Sequence, residues 1–456
     1  MINTVELLPP AVADAPGQAM HQLVAELYPI CRSITGEGFR RSLRLLQRKI
    51  PLEIHEVPTG TQVFDWVVPR EWNIRDAFVK NARGERVIDF KAHSLHILNY
   101  SVPVHRTMSL EELRPHLYTL PDQPNLIPYR TSYYKEQWGF CLSHSDLEQL
   151  EDGDYEVCID SSLEPGFLTY GELLLPGGSD DEVLISCHCC HPSLCNDNLS
   201  GMALATALAQ GLAEQKRRYA YRFLFIPGTI GSITWLALNQ ERAARIKHGL
   251  VVACVGDPGG PSYKRSRRGD AEIDQAAVHV LQHSGQSYTV YDFSPYGYDE
   301  RQYCSPGFNL PVGSLTRTPH GRYREYHTSA DNLELVRPEA MADSLALYRA
   351  VLDVLEHNQA YVNTSPMGEP QLGKRGLFGS VGGNTSAKAY EMALLWVLNF
   401  SDGQHTLLDI AKLAGMPFAQ IKDAAAALAR SGLLVQPEAS SRPNCERSSE
   451  LASDKL

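Results

Sequence analysis

Cys187-His188-Cys189-Cys190-His191-Pro192-Ser193-Leu194-Cys195-Asn196-Asp197-Asn198-Leu199-Ser200-Gly201 is the stretch whose reading decides the fold. Before it, Glu182-Val183-Leu184-Ile185-Ser186 is an apolar run that reads as a buried strand. After it, Gly201–Ala209 is rich in small helix formers with apolar residues at helical spacing. Two histidines and an aspartate therefore fall between the end of a strand and the start of a helix. Ligands of open α/β sheets bind at that edge, and His and Asp suit a zinc ion.

Three readings of the loop stay open on local grounds. One is a metal site built from His188 or His191 with Asp197. Another is a structural zinc held by Cys187, Cys190, Cys195 and a histidine. The third is a tight loop whose Asn and Asp cap the next helix. The cysteine reading is the weakest, because Cys187 and Cys189 fall where strand side chains alternate between faces, and buried free cysteine commonly packs as a small hydrophobe.

Composition narrows the class. A chain of 456 residues is expected to hold two or three domains. Hydrophobic content of 43% with 21% charged residues describes a globular protein with a large core. No run of about 18 apolar residues occurs, so no membrane span is expected. The start, Met1–Glu6, lacks the basic flank and apolar block of a signal peptide. Ten irregularly spaced cysteines fit a reducing cytoplasm. A net charge of -11 argues against general affinity for nucleic acid or anionic membranes.

Outward from the central loop, the pattern divides the chain. Residues 1–16 read as a loose arm, followed by helices over Met20–Tyr28 and Glu37–Lys49. Phe39, Leu43 and Leu46 form the inner stripe of the second helix. Residues 53–145 read as an inserted small β domain, with strands expected at Leu98–Val102, Tyr129–Tyr134 and Trp138–Cys141. Residues 17–52 and 146–364 alternate strand and helix, which predicts an α/β domain with a mainly parallel, helix-covered sheet. Residues 375–436 read as three helices and a strand, a winged-helix-like domain. Its net charge over 375–435 is +1, a poor footprint for DNA, so protein packing is the expected role. The polar residues 437–456 are expected to be disordered.

A parallel sheet aligns its strand ends, so residues distant in sequence can converge. At those ends fall His188, His191, Asp197, Thr229, Ser232, Asp257, Asp299, Glu300, His320, Glu325, His327 and Asp331. Two or three histidines with carboxylates are the ligand set of a hydrolytic zinc site. Asp257, before Pro258-Gly259, is also a natural turn residue.

The order His188…Asp197-Asn198-Leu199-Ser200-Gly201, Gly231-Ser232, Asp257, Tyr326-His327-Thr328-Ser329-Ala330-Asp331 resembles the zinc aminopeptidase/carboxypeptidase (family-28-like) superfamily. More narrowly, the chain resembles bacterial aminopeptidase-like proteins associated with polysaccharide biosynthesis, which carry an N-terminal β insert and a C-terminal winged-helix-like domain. The phrases that carry this are Ser161–Gly166, His191–Leu194, Phe225–Ser232 and Tyr296–Tyr303. The resemblance spans nearly the whole chain and implies a zinc-peptidase-like fold.

By that resemblance His188, with His191 as alternative or addition, Asp197 as a bridging carboxylate, Asp257 and His327 would hold zinc. Asp331 would support them from behind. Two departures are visible. The Glu-Glu pair that supplies base and ligand in the peptidases is replaced by Phe225-Ile226-Pro227-Gly228-Thr229, and Cys190 stands where an Asp would orient the first histidine. Loss of a base typically removes about 10²–10⁴ in rate. Glu300, Asp299 and Glu325, on the same edge, are the candidates to replace it, and a single metal becomes more plausible than a pair. Arg301, Arg317, Arg322 and Arg324, with Tyr303, are candidates to hold substrate.

The expected activity is zinc-dependent hydrolysis of amide bonds in a small peptide-like or amidated substrate. The competing expectation is a non-catalytic, metal-containing protein that recognises a peptide or saccharide and docks through its winged-helix-like tail. Assembly into a homo-oligomer is left open by the sequence.

Overall fold

Val183, Leu184, Ile185 and Cys187 are all buried in the strand Glu182–His188, whose every residue is shielded from solvent. Burial on both faces is what the middle of a helix-covered sheet requires. The computed structural model describes residues 10–377 and 385–437. They form two units, one ending at Glu356 and the other beginning at His357.

The first unit is built on an eight-stranded sheet. Its strands are β1 (Glu53–Pro58), β2 (Phe167–Leu175), β3 (Glu182–His188), β4 (Ala220–Ile226), β5 (Ile246–Val252), β6 (Ser262–Lys264), β7 (Thr289–Tyr291) and β8 (Val312–Thr316). Their spatial order is β1-β2-β4-β3-β5-β8-β6-β7. The centre, β4-β3-β5-β8, is parallel. Antiparallel pairs β1/β2, β2/β4 and β6/β8 flank it, so the sheet is mixed at its edges. Helices α1 (Pro10–Leu27), α2 (Glu37–Gln47), α3 (Ser200–Ala213), α4 (Ile230–Leu238), α5 (Glu272–Gln282) and α6 (Pro338–His357) accompany it. Phe39, Leu43 and Leu46 are buried on α2 as their spacing predicts. Helix α1 begins at Pro10 rather than Met20, so the expected arm is shorter, and residues 1–9 lie outside the described residues.

A second sheet joins Arg86–Asp89, Glu71–Lys80, Asp154–Glu164 and Val104–Ser109, in that order and all antiparallel. The strands do not divide at residues 53 and 145. β1 belongs to the large sheet, and Asp154–Glu164 belongs to the small one. The reason is visible in the burial of Asp154–Glu164, where Tyr155, Val157, Ile159 and Ser161 are buried and their neighbours are not. That alternation suits a sheet with one wet face. Tyr129–Tyr134 and Leu98–Val102 are not strands; an isolated bridge joins Asn99 of one to Thr131 of the other, and another joins the preceding Pro128 to Thr328.

In the second unit, helices Thr385–Phe400, Leu407–Ala414 and Phe418–Arg430 pack with a three-stranded sheet of Asp402–Thr406, Ala360–Asn363 and Leu434–Val435. Thr406 and Asp409 form a reciprocal cap at the second helix, which ends at a left-handed Gly415. The expected disordered tail lies outside the described residues beyond Pro437. Among the described residues no helix is long and apolar enough to cross a membrane, and the cysteines are free thiols.

The end of the sheet opposite His188 carries a buried ion network. Arg222 on β4 binds Glu182 through Nε and Nη2 at 2.6 and 2.7 Å, and pairs with Glu172 through Nη1. All three are nearly inaccessible to solvent. Arg222→Met should leave two facing buried carboxylates and lower stability by about 3–5 kcal/mol, read as a drop in the urea midpoint of unfolding; an unchanged midpoint would refute it. Nearby, burial pushes the His248 imidazole down to about 4 from its usual 6.5. The unfolded chain then binds this proton more readily than the folded one, so this share of stability is complete above 6.5 and is lost as pH falls toward 4. His248→Gln should flatten the pH dependence of unfolding in that window, and an unaltered slope would count against it.

Candidate metal centre

His188 is the last residue of β3, and the chain must then turn to enter α3 at Ser200. Asp331 fixes that turn. Its carboxylate accepts the backbone N–H of Asn196 at 2.5 Å and of Asp197 at 3.1 Å, and the Tyr323 hydroxyl at 3.2 Å. The Asn198 amide donates to the Val252 carbonyl at 2.8 Å and accepts from Gly201 N at 3.1 Å. Gly201 is required by this approach, since a Cβ there would lie 2.3 Å from Asn198 Oδ1 and 2.7 Å from the Val252 carbonyl oxygen. The asparagines do the structural work of the loop, as the capping reading expected. The histidines and Asp197 are left for another role.

The Asp197 carboxylate sits among three imidazoles. Oδ1 lies 2.8 Å from His188 Nε2, and Oδ2 lies 3.1 Å from His327 Nε2 and 3.9 Å from His191 Nε2. His188, His191 and Asp197 are buried, whereas the His327 side chain is 32% exposed and opens the group to solvent. Ligand atoms of His188, His191 and Asp197 all lie within 4.8 Å of one another, and among the described residues no cysteine joins this group. Burial alone would raise the Asp197 carboxyl, but His191, His188 and His327 hold it well below the usual carboxylate range. Burial drives His191 well below its usual value, toward the neutral imidazole that ligates metals. A buried carboxylate whose charged partners among the described residues are histidines alone is a donor set that fits a divalent cation.

Tyrosines wall the group. The Tyr298 ring lies 3.9 Å from that of His188, the Tyr129 ring 5.0 Å from those of His191 and His327, and Tyr326 stacks on His327 at 3.9 Å. Tyr129 N also donates to the His327 carbonyl at 2.8 Å. Sequence reasoning missed Tyr129 and Tyr298. Tyr298 had a signal in its neighbour Asp299, whereas nothing local marked Tyr129. Cys190 Sγ lies 3.6 Å from His191 Nδ1, beside the second histidine rather than behind the first.

Other expected residues are placed elsewhere. Asp257 does not join the cluster: its carboxylate accepts from Gly259 N and Thr318 Oγ1 at 2.8 and 2.6 Å, and from Asn196 Nδ2 and Thr318 N at 3.1 Å. It is the turn residue that its Pro-Gly sequel suggested. Glu300 is buried and bound to Lys264 Nζ at 2.8 Å. Glu325 is half-buried, and its carbonyl accepts from Thr328 Oγ1. Tyr303 is fully buried with its hydroxyl 2.9 Å from Ser186, a core position rather than a substrate contact. Arg301 and Arg324 are exposed, and exposed Arg322 lies over the Tyr291 ring at 4.6 Å. Buried Asp299 accepts from Ser232 Oγ at 2.8 Å through Oδ1, while Oδ2 has no hydrogen-bond partner among the described residues. Burial raises its carboxyl to about 7.

A family model described as "Domain of unknown function (DUF4910)" matches residues 21–358, and a winged helix-turn-helix model matches residues 359–436. The chain belongs to the first of these families. A Clostridium acetobutylicum relative, provisionally named a polysaccharide biosynthesis protein with aminopeptidase-like domain, is 54% identical over 418 residues, covering 92% of this chain and 96% of its own. A crystal structure of a provisional peptidase from Clostridium acetobutylicum superposes with a TM-score of 0.89 at 53% identity, over 93% of this chain and 97% of that one. A zinc aminopeptidase from Bacillus subtilis gives 0.54 at 11% identity, over 75% of this chain and 94% of that one. The fold is thus aminopeptidase-like, followed by a winged-helix domain.

Proposed function

We propose that this protein is a zinc-dependent hydrolase of amide bonds, acting on a small peptide-like or amidated substrate in polysaccharide or cell-surface metabolism. The observation that carries the reading is the buried Asp197 carboxylate among the imidazoles of His188, His191 and His327 at the sheet edge. The metabolic setting rests on the name given to the 54% identical relative.

His188, His191, Asp197 and His327 would hold the zinc, and zinc so held supplies Lewis acidity toward a carbonyl oxygen. Asp331 keeps the Asp197 backbone in place, so the carboxylate stays between the imidazoles. Asp299 Oδ2, buried and unpartnered, is the acid suited to take a proton from water and return it to the departing amine. Glu300 is less suited, because its Oε1 is already engaged by the Lys264 ammonium at 2.8 Å and both its oxygens accept from Tyr298 N. Tyr129, Tyr298 and Tyr326 line the group with rings that limit water and orient substrate.

A second reading has its own observation. No carboxylate follows β4 at Pro227–Thr229, and Asp257 is saturated by four donors. This leaves room for a metal-containing binding protein without turnover.

Purified full-length protein should carry near-stoichiometric zinc by elemental analysis, and both Asp197→Ala and His327→Ala should lose it. A wild type that stays metal-free after incubation with zinc would end the hydrolase reading. Asp331→Asn should weaken zinc affinity about 10–100-fold by loosening the turn. Turnover on a panel of peptide and acyl amides should fall about 10²–10⁴-fold in Asp299→Asn with zinc content retained. Full zinc occupancy with no turnover of any amide would favour the binding-protein reading.

A further inference from the structure

The sheet carries a feature that the metal cluster does not use. β6 pairs antiparallel with β8 in the register Ser262 to Thr316 and Lys264 to Ser314, and parallel with β7 in the register Lys264 to Tyr291. Partners in register, and residues two apart, share a face. One face therefore presents Ser262, Lys264, Ser314, Thr316 and Tyr291. The intervening Tyr263 and Leu315 are buried on the other side. The hydroxylated face is the floor of a cleft of about 390 Å³, within the range of about 300–1,000 Å³ typical of ligand sites.

Its walls are aromatic. Tyr296, at 80% exposure, stands at the cleft with its ring 6.0 Å from that of His320. Arg322 lies over Tyr291 and donates to its hydroxyl at 3.1 Å, which fixes that ring. The cleft lies beside the metal cluster. His320 neighbours Tyr326 at 6.4 Å, and Tyr326 stacks on His327. Glu300, which also lines the cleft, directly follows Asp299.

We propose that this cleft binds the pyranose ring of a saccharide. Hydroxyls on the floor and an exposed ring at the side match a ligand with an apolar ring face and a polar rim. The paired Lys264 and Glu300 offer a donor and an acceptor with no net charge, which suits neighbouring sugar hydroxyls better than an anionic group. Thr316 Oγ1 donates to the Arg317 carbonyl at 3.2 Å and Ser314 Oγ to the Val251 carbonyl at 3.5 Å, which leaves both oxygens as oriented acceptors that a sugar hydroxyl can use and an apolar peptide side chain cannot. The substrate class follows from this assignment together with the amide-hydrolase reading, on which it rests: an N-acylated amino sugar. In that reaction the amide C–N bond breaks and the oxygen of water bonds to the acyl carbon. The amine departs with both protons of that water, as an ammonium, and the acyl group leaves as a carboxylate.

The test measures binding of N-acetylglucosamine and N-acetylgalactosamine to full-length, chelator-treated protein by calorimetry or ligand-observed NMR. At least one should bind saturably, roughly three- to tenfold more weakly to Tyr296→Ala, and more weakly to Thr316→Val. N-acetylalanine methylamide should not compete. Absence of sugar binding, binding untouched by both variants, or equal competition by the peptide amide would overturn the assignment. Adding zinc and following acetate release reads the hydrolase proposal separately: sugar bound but never deacylated would leave the cleft assignment standing and remove the hydrolase.

Discussion

The two hydrogen bonds from Asn196 N and Asp197 N to the Asp331 carboxylate carry the site. A parallel strand ending in His188 brings an imidazole to the sheet edge, but nothing in the strand dictates where Asp197 will point. That is settled by a carboxylate 134 residues away in sequence, which anchors the backbone of the turn. The buried Asp331 carboxyl is raised to about 7 by burial, yet the N–H groups it receives and the Tyr323 hydroxyl favour its ionised form. With the turn fixed, Asp197 meets His188 and His327 at hydrogen-bond distance, and each imidazole in turn keeps Asp197 ionised. Remove the anchor and the arrangement has no reason to persist.

The two ends of the central strands have different tasks. At the end away from His188 the permanent cation of Arg222 bridges the carboxylates of Glu182 and Glu172, which suits a structural role. At His188 the carboxylate is met by titratable rings rather than by a permanent cation, which suits a role that needs exchangeable ligands. The same sheet thus keeps its rigid ion network away from its chemistry, about 20 Å along β3 at 3.3 Å per residue.

Much of this was legible in the sequence where local patterns are strong. The apolar run 182–186 and the stripe of Phe39, Leu43 and Leu46 follow from periodicity, and the alignment of strand ends brought twelve polar residues into view, from which the family resemblance singled out His188, His191, Asp197 and His327 together with Asp257. Asp257 was assigned to the metal through the resemblance, although its Pro-Gly sequel marked a turn; local turn chemistry prevailed. Tyr303 and Glu300 were chosen for their closeness in sequence to Asp299, but a strand-to-helix segment can turn any one side chain to the core, and only packing decides which. Asp154–Glu164 was assigned to the large sheet because strand identity is local while strand partners are not. Tyr129 was out of reach for the same reason, since its place depends on a backbone bond to His327 nearly 200 residues on.

The separation of the ligands along the chain has a consequence for how the protein is made. His188, His191 and Asp197 leave the ribosome together, but His327 follows 130 residues after Asp197. For much of synthesis the nascent chain carries an incomplete set, with neither His327 nor the Asp331 anchor yet present. A cluster completed by residues beyond the last strand of the sheet cannot assemble until the sheet unit is nearly whole, so its geometry is a marker of finished folding.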